Sequence, residues 1–275
     1  MNVPYGWRVI IDPSRSATEH MAHDEAFALE GVPMLRLFRW DPPAISLGWK
    51  QPYPEWLDAA QWCGAGLELT ERPTGGGIAF HGSDLSLSVV LPRALDLSLA
   101  LMMRLVCEQA VRLCATYGVD ATTLESIPTL HERVLPPAPR TLCFAKRSSR
   151  GSGVTRPRVL GWALRDAPPR ERLTYCLTQP SPYAVMIGSK KVAGFALRRY
   201  PESWLIQGSL LVGPMPFALR QRLPTEVTDD LDARAISLAE AATMSVSAED
   251  VAGRWAERWS LWWDDMVGHE LAVCV

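Results

Sequence analysis

The sequence has no long apolar run and almost no net charge, and each absence excludes a class of protein. Its 275 residues carry 28 Lys and Arg against 30 Asp and Glu, a formal net charge of −2 at pH 7. Nucleic-acid binders are usually basic overall, so we expect no nucleic-acid partner. Apolar stretches such as Leu85–Leu91 are far shorter than the ~20 residues that span a bilayer, and Met1–Arg8 does not resemble a secretory signal. We therefore expect a cytoplasmic protein without a membrane partner.

Paired metal ligands and paired cysteines are also missing. The six cysteines are scattered without a Cys-x-x-Cys pair, which excludes a zinc-finger spacing and, in a chain this long, a disulfide framework. His20 and His23 lie one helical turn apart, but no third ligand accompanies them, so we predict no metal site. The 48% of hydrophobic residues is typical of a globular protein, with enough chain for one large domain or two small ones.

Short strands alternate with helices along the chain. A capping box at Ser16–Glu19 predicts the start of one helix, and Leu97–Tyr117 has the apolar spacing of a longer one. Leu85–Leu91 alternates apolar and polar residues like a half-buried strand, and Tyr183–Ile187 with Val192–Ala196 is predicted as a hairpin. Strands connected by both hairpins and helices predict an α+β fold with a mixed central sheet flanked by helices.

Two later segments differ from this pattern. Arg140–Arg172 lies in a basic, proline-rich insertion at about 128–172 and holds nine Lys and Arg against two acidic residues, a local net charge of +7. It is either a solvated loop or a surface for an acidic partner protein.

A C-terminal helical segment is predicted from about residue 216. Tryptophans at helical spacing within it predict a core or interface stripe: Trp255, Trp259, Trp262 and Trp263.

Three features have the composition of a reactive site. Arg72 precedes the glycines of Gly75–Gly77, whose backbone N–H groups can approach an anion or carbonyl, although a simple turn is the alternative. Lys191, followed by Gly194, can hold a carboxylate or polarise a carbonyl, unless it belongs to an ordinary charged strand. Cys176 is a candidate thiolate if a cation lies near it, and otherwise a small buried hydrophobe.

The order of these features resembles the lipoate–protein ligase and octanoyltransferase family, which is related in fold to biotin protein ligase. The resemblance extends from about Trp7 to Val212 and implies a single catalytic domain of the biotin/lipoate protein ligase type over residues 1–275. Its motifs occur in family order: Glu19–Ala26, Phe38–Gly48, Arg72–His81, and Lys191–Gly194 leading to Gln207–Leu211.

The resemblance also implies roles for individual residues. Cys176, fifteen residues before Lys191, is similar to the acyl-accepting cysteine of the single-domain octanoyltransferases, and Lys191 is similar to a lysine that contacts the acyl carbonyl. The implied substrate-binding residues, which include those lining the acyl pocket, are Arg72, Gly75, Gly76, Gly77, Ile78, Ala79, Phe80, His81 and Gly194. The chain departs from the family pattern at Glu71 (arginine is usual), at Phe195–Leu197 and at Gln207 (histidine is usual).

The function implied is transfer of an octanoyl or lipoyl group from acyl carrier protein, through a thioester on Cys176, to a lysine of a lipoyl domain. Such domains occur in 2-oxoacid dehydrogenases and as the glycine cleavage H protein, and this reaction needs no cofactor. Two alternatives stay open. One is a lipoate–protein ligase that uses ATP and Mg²⁺ to form lipoyl-adenylate, which the full triplet ending at Gly77 favours. The other is a non-catalytic scaffold that binds lipoyl domains.

Overall fold

The computed structural model describes residues 7–124, 174–179, 181 and 183–272, with side chains described to residue 261. The strands are β1 (Arg8–Ile11), β2 (Met34–Phe38), β3 (Ala44–Leu47), β4 (Glu68–Glu71), β5 (Ile78–His81), β6 (Asp84–Pro92), β7 (Thr122–Thr123), β8 (Val185–Ile187), β9 (Lys190–Arg199) and β10 (Ser203–Leu211). The helices are α1 (Ala17–Glu30), α2 (Ala59–Gly64), α3 (Leu99–Ala115), α4 (Phe217–Arg220), α5 (Thr225–Arg234), α6 (Leu238–Ala241) and α7 (Ala248–Ala272), with a short 3₁₀ turn at Arg93–Leu95.

The strands form two mixed sheets. The larger has the order β1-β2-β6-β10-β9-β8-β7, and the smaller has the order β4-β3-β5. The pairs β1–β2 and β3–β4 are parallel, and the remaining pairs are antiparallel. The predicted α+β fold with a mixed central sheet flanked by helices is therefore confirmed, as is the hairpin of β8 and β9.

The main hydrophobic core lies between one face of the large sheet and helices α3 and α7. Leucines of β2 and β6 meet residues such as Met103 and Val106 of α3 there. Trp255 and Trp259 of α7 are fully buried in the same core, so this half of the tryptophan stripe is confirmed as core. The side chains of Trp262 and Trp263 lie outside the described residues.

The opposite face of the large sheet is polar, yet it is buried as well. Asp84, Ser86 and Ser88 alternate with apolar residues along β6, and every residue of that strand except Pro92 is buried. The prediction of a half-buried strand was therefore wrong, because other parts of the protein cover the polar face instead of water: Ser88 donates to Asp24 of α1, and Ser86 accepts from the Trp40 indole. Helix α1 begins at the predicted capping box, in which the Ser16 hydroxyl accepts from the Glu19 N–H, and it ends at Gly31.

The domain organisation stays a prediction. The basic insertion at about 128–172 lies outside the described residues, and helices α4 to α7 follow the last strand. Within the described part of the chain, no helix has both the length and the apolar character needed to cross a membrane.

Candidate functional site

A pocket opens on the polar face of the large sheet. Residues two positions apart on a strand share a face, so the cross-strand register defines the floor of this pocket. The register places two rows on this face of the sheet: Arg36, Ser88, Gln207 and Ala196 in one, and Phe38, Ser86, Ser209 and Gly194 in the other. All of them except Arg36 and Ser88 line the pocket. The backbone therefore brings together residues that are far apart in the sequence.

The lining of the pocket combines apolar walls with a few polar groups. Its empty volume is about 410 Å³, including the part open to solvent. The larger apolar side chains that line it on this face are Met21, Phe38 and Trp40. Leu87 and Phe195 also border it, but their positions on β6 and β9 alternate with the floor residues, and their side chains belong to the main core. The polar ones are Ser46, Arg72, Ser86, Gln207 and Ser209, and the remainder are Ala79, Cys176, Gly194, Ala196 and Gly208. Such a lining is typical of sites for small organic ligands.

Cys176 and Lys191 meet at the edge of this pocket. The Cys176 N–H donates to the Ile78 carbonyl of β5 at 2.7 Å, which ties the cysteine to the small sheet. Lys191 Nζ donates to the carbonyls of Cys176 at 2.7 Å and Gln179 at 3.2 Å. A Cβ on Gly194 would lie 3.0 Å from Lys191 Nζ and 3.7 Å from Cys176 Sγ. Glycine at this position therefore keeps the space between the ammonium and the thiol open.

Cys176 differs from the other described cysteines in its surroundings. Burial raises the pKa of Cys107 and that of Cys114 to about 12, so both thiols are protonated at neutral pH. Cys63 is exposed on α2 and does not line the pocket. Cys176 is half-buried and lies beside a cation, which is the environment expected of a reactive thiol.

Lys191 is a buried cation. Its side chain is 4% exposed, and burial lowers the pKa of its ammonium group, an effect that the nearby thiols of Cys176 and Cys107 oppose. Lys190 points the other way, with its Nζ donating to the Asp232 carbonyl at 2.7 Å. The two neighbouring lysines therefore have different partners, as expected where adjacent residues of a strand face opposite sides.

Arg72 holds the glycine loop in shape. Its Nη1 donates to Ser46 O at 2.9 Å and Ser46 Oγ at 3.0 Å, and its Nη2 donates to Gly75 O at 3.0 Å and Gly77 O at 2.6 Å. A Cβ on Gly77 would lie 2.1 Å from the Thr174 carbonyl, so glycine is required where the segment leading to the cysteine passes. In this structure the guanidinium group organises the loop.

The structure gathers part of the predicted residue set at the pocket. Arg72, Ala79, Cys176 and Gly194 line it, and Lys191 lies against the last two. Ile78 and Phe80 instead belong to a hydrophobic cluster with Ile45 and Leu47, because alternate residues of β5 face opposite sides. His81 lies behind the pocket wall on Ser46. The roles assigned to this set remain predictions.

Gln207 connects the glycine loop to a buried ion pair that the sequence analysis missed. Thr74 Oγ1 donates to Gln207 Oε1 at 2.7 Å, and Gln207 Nε2 donates to Asp24 Oδ2 at 2.6 Å. Asp24 Oδ1 accepts from Arg36 Nη1 at 2.7 Å, and both side chains are fully buried. Burial raises the pKa of Asp24, although Arg36 opposes that effect. A charged Arg36 within an otherwise apolar strand was the sequence signal for this pair.

His20 should make the stability of the fold depend on pH. Its side chain is buried between the Arg39 carbonyl and Arg36, and burial lowers its pKa from 6.5 to about 4. Between these values the unfolded chain binds a proton that the folded chain does not, so stability is lost as the pH falls. We expect this group to remove about 2–3 kcal/mol between pH 7 and pH 4.5.

The measurement is urea unfolding of the wild type and of His20→Gln at both pH values. The variant should lose less stability on acidification than the wild type does. Equal losses in the two proteins would show that His20 does not carry this dependence.

Residues 15–260 match the family model of the lipoyl protein ligase A/B catalytic domain. Octanoyltransferase LipM of Kyrpidia tusciae is 29% identical over 271 residues, covering 91% of this chain and 85% of that protein.

Solved structures share the fold. Lipoate-protein ligase A bound with ATP has a TM-score of 0.61 and 21% identity, over 91% of this chain and 82% of that one. The bipartite lipoate protein ligase of Thermoplasma acidophilum, studied with its E2 lipoyl domain, has a TM-score of 0.59 and 20% identity. The match covers 92% of this chain and 82% of that one. Because the family model spans most of the sequence, the chain belongs to the lipoyl protein ligase A/B catalytic-domain family and is an enzyme of the octanoyltransferase and lipoate-protein ligase class.

Proposed function

We propose that this protein transfers an octanoyl group from acyl carrier protein to a lysine of a lipoyl domain, through a thioester on Cys176. The observation that carries the proposal is the meeting of Cys176 and Lys191 around Gly194, at the edge of a pocket with apolar walls. The similarity to octanoyltransferase LipM supports octanoyl as the group transferred. A lipoate protein ligase of the same fold, studied with its E2 lipoyl domain, supports the class of acceptor.

The first step exchanges one thioester for another. The Cys176 thiolate attacks the carbonyl carbon of the octanoyl thioester, a new C–S bond forms, and the bond to the carrier's sulfur breaks. The carrier leaves as a thiol with the proton that Cys176 gave up. Negative charge develops on the carbonyl oxygen during this step, and the buried Lys191 ammonium stabilises it more strongly than an exposed cation would.

The second step forms the product amide. The neutral amine of the acceptor lysine attacks the Cys176 thioester, a C–N bond forms, and the bond to Cys176 Sγ breaks. One amine proton returns to the sulfur and regenerates the thiol. Both bonds that break are the C–S bonds of thioesters, in which the acyl group is already activated. The reaction therefore needs neither ATP nor another cofactor.

The alternatives make different demands. A ligase would need ATP and Mg²⁺ to activate a free acid as an adenylate, and Cys176 would then be a bystander. A scaffold would bind the lipoyl domain without modifying it. Neither alternative gives a reason for a half-buried thiol beside a buried cation, whereas the transferase requires that pair.

The test is a reconstituted transfer with the full chain, octanoylated acyl carrier protein and a lipoyl domain, without ATP. Mass spectrometry of the lipoyl domain should show one added octanoyl group, and none when its acceptor lysine is replaced by arginine. Modification that requires ATP and free octanoate or lipoate would contradict the proposal and support a ligase. Binding without modification under either condition would support a scaffold.

A further inference from the structure

A buried series of hydrogen bonds runs from Asp84, behind the pocket wall, to Ser46 and Arg72, which line the pocket. His81 Nδ1 lies 2.8 Å from Asp84 Oδ2, and His81 Nε2 lies 2.7 Å from Ser46 Oγ. Arg72 Nη1 in turn donates to Ser46 Oγ at 3.0 Å. The four side chains are buried and come from β3, β5, β6 and the start of the glycine loop. These contacts form a continuous path to the residue that shapes the loop.

Asp84, at one end of this series of hydrogen bonds, determines which nitrogen of His81 carries a proton. Asp84 Oδ1 accepts from the Gly82 N–H, and its Oδ2 accepts from Ser86 Oγ and Ser209 Oγ. Burial alone would raise the pKa of Asp84, but His81 and these hydrogen bonds outweigh it and hold the pKa below its usual range. An ionised Asp84 only accepts, so His81 carries its proton on Nδ1.

Ser46 connects the imidazole ring to the guanidinium group. Its Oγ lies 2.7 Å from His81 Nε2 and accepts from Arg72 Nη1 at 3.0 Å. The path of contacts from Asp84 to Arg72 is therefore continuous, whichever of His81 Nε2 and Ser46 Oγ donates to the other. Trp40 keeps the ring in place, because it stacks on His81 with ring centroids 4.0 Å apart and donates from Nε1 to Ser86 Oγ at 2.8 Å.

We propose that Ser46, His81 and Asp84 are positioning residues for the acyl-transfer step: they orient Arg72, and with it the glycine loop, against the acyl group on Cys176. Arg72 holds the carbonyls of Gly75 and Gly77, and the strand that follows the loop carries the Ile78 carbonyl to which Cys176 is bound. The placement of the loop and that of the thiol are therefore coupled. The inference rests on the proposed function for the step it assists.

The order Ser–His–Asp is also that of a hydrolase triad, but the contacts of Ser46 differ from those of a nucleophile. Ser46 lines the pocket, but it is only 1% exposed and its Oγ already accepts from Arg72. A triad serine presents its oxygen to the substrate. Ser46 therefore acts through Arg72.

The test compares Ser46→Ala, Ser46→Thr and Asp84→Asn with the wild type. Ser46→Ala should slow the acylation of Cys176 about 10²-fold, because a displacement of the reacting groups by about 1 Å typically costs that much in rate. The KM for the carrier should change little. Ser46→Thr keeps the hydroxyl and should restore the rate. Ser203→Ala is the matched control, since it removes a buried serine that donates to the Ala28 carbonyl at the far end of β10. It should leave the rate unchanged.

Two NMR readouts are independent of activity. The ¹⁵N shifts of His81 should show Nδ1–H in the wild type and a shift of the proton towards Nε2 in Asp84→Asn, because asparagine can donate where aspartate only accepts. The amide signals of Gly75, Gly76 and Gly77 should move in Ser46→Ala and not in Ser203→Ala. If the wild type does not acylate Cys176, the proposed function is wrong. The NMR signals of His81 and of the glycine loop still show whether Ser46, His81 and Asp84 position Arg72.

Three results would overturn the inference. They are a wild-type His81 with its proton on Nε2, a Ser46→Ala variant with unchanged loop signals, and a Cys176→Ser protein that becomes acylated on Ser46.

Discussion

Cys176→Ser should abolish octanoyl transfer while the protein keeps its fold. A serine hydroxyl has nearly the shape of the thiol, but at neutral pH it forms no appreciable anion, so no nucleophile attacks the thioester. We expect the transfer rate from octanoylated acyl carrier protein to fall at least about 10³-fold, as for loss of a catalytic nucleophile. The measurement is the initial rate of lipoyl-domain octanoylation, with thermal unfolding of the variant as the check on its fold.

Cys63→Ser is the matched control for this change. Cys63 is the exposed cysteine of α2 and does not line the pocket. The control should transfer at the wild-type rate. A fully active Cys176→Ser variant would contradict the covalent mechanism, whatever the other variants do.

Lys191→Met should lower the transfer rate about 10²–10³-fold, the usual cost of removing one charge that stabilises a developing oxyanion. Methionine has a similar length and fills the buried site without a charge. Because a buried ammonium is costly in free energy, its loss should not reduce stability greatly. A large fall in rate with little change in the free energy of unfolding would show that the charge serves the reaction. Rates and urea unfolding measured on the same preparation give both quantities.

Lys190→Met separates this effect from a general loss of charge. Lys190 is the neighbouring residue on β9, and its ammonium contacts the Asp232 carbonyl outside the pocket. We expect it to keep nearly the full rate. If the Lys190 variant were the slow one and the Lys191 variant the fast one, the assignment of the two faces of β9 would be wrong.

Features that depend on local sequence were predictable. The capping box at Ser16 and the apolar spacing of α3 are set by residues within a few turns of each other, and both appear in the structure near the predicted bounds. The glycine loop was also visible as a candidate site. The pairing of Cys176 with Lys191 came from the family resemblance, because fifteen residues of separation do not define a distance in space.

The polar networks could not be read from the sequence, because they depend on which strands are neighbours. Ser86 and Ser88 look like the solvent side of an amphipathic strand, and only the positions of Trp40 and α1 in the fold show that they are buried. Gln207 meets Asp24 across 183 positions in the chain. A strand with polar residues on one face has the same sequence pattern whether that face meets water or a helix.

One departure from the family pattern has a physical reason in the structure. The Phe195 ring packs against Gly208 on the neighbouring strand, in the main core, and occupies space that a side chain at position 208 would need. Phe195 is therefore accommodated by glycine opposite it, as the register of β9 and β10 pairs these two residues.

The thioester on Cys176 can be observed directly by intact-protein mass spectrometry. The full chain is incubated with octanoylated acyl carrier protein in the absence of ATP and of any lipoyl domain, and its mass is recorded before and after hydroxylamine. The account predicts a gain of one octanoyl group that maps to Cys176, is removed by hydroxylamine, is lost in Cys176→Ser, and passes to a lipoyl domain added later. An unmodified chain that nevertheless transfers octanoyl groups, or a modification at another residue that passes to the lipoyl domain, would contradict it.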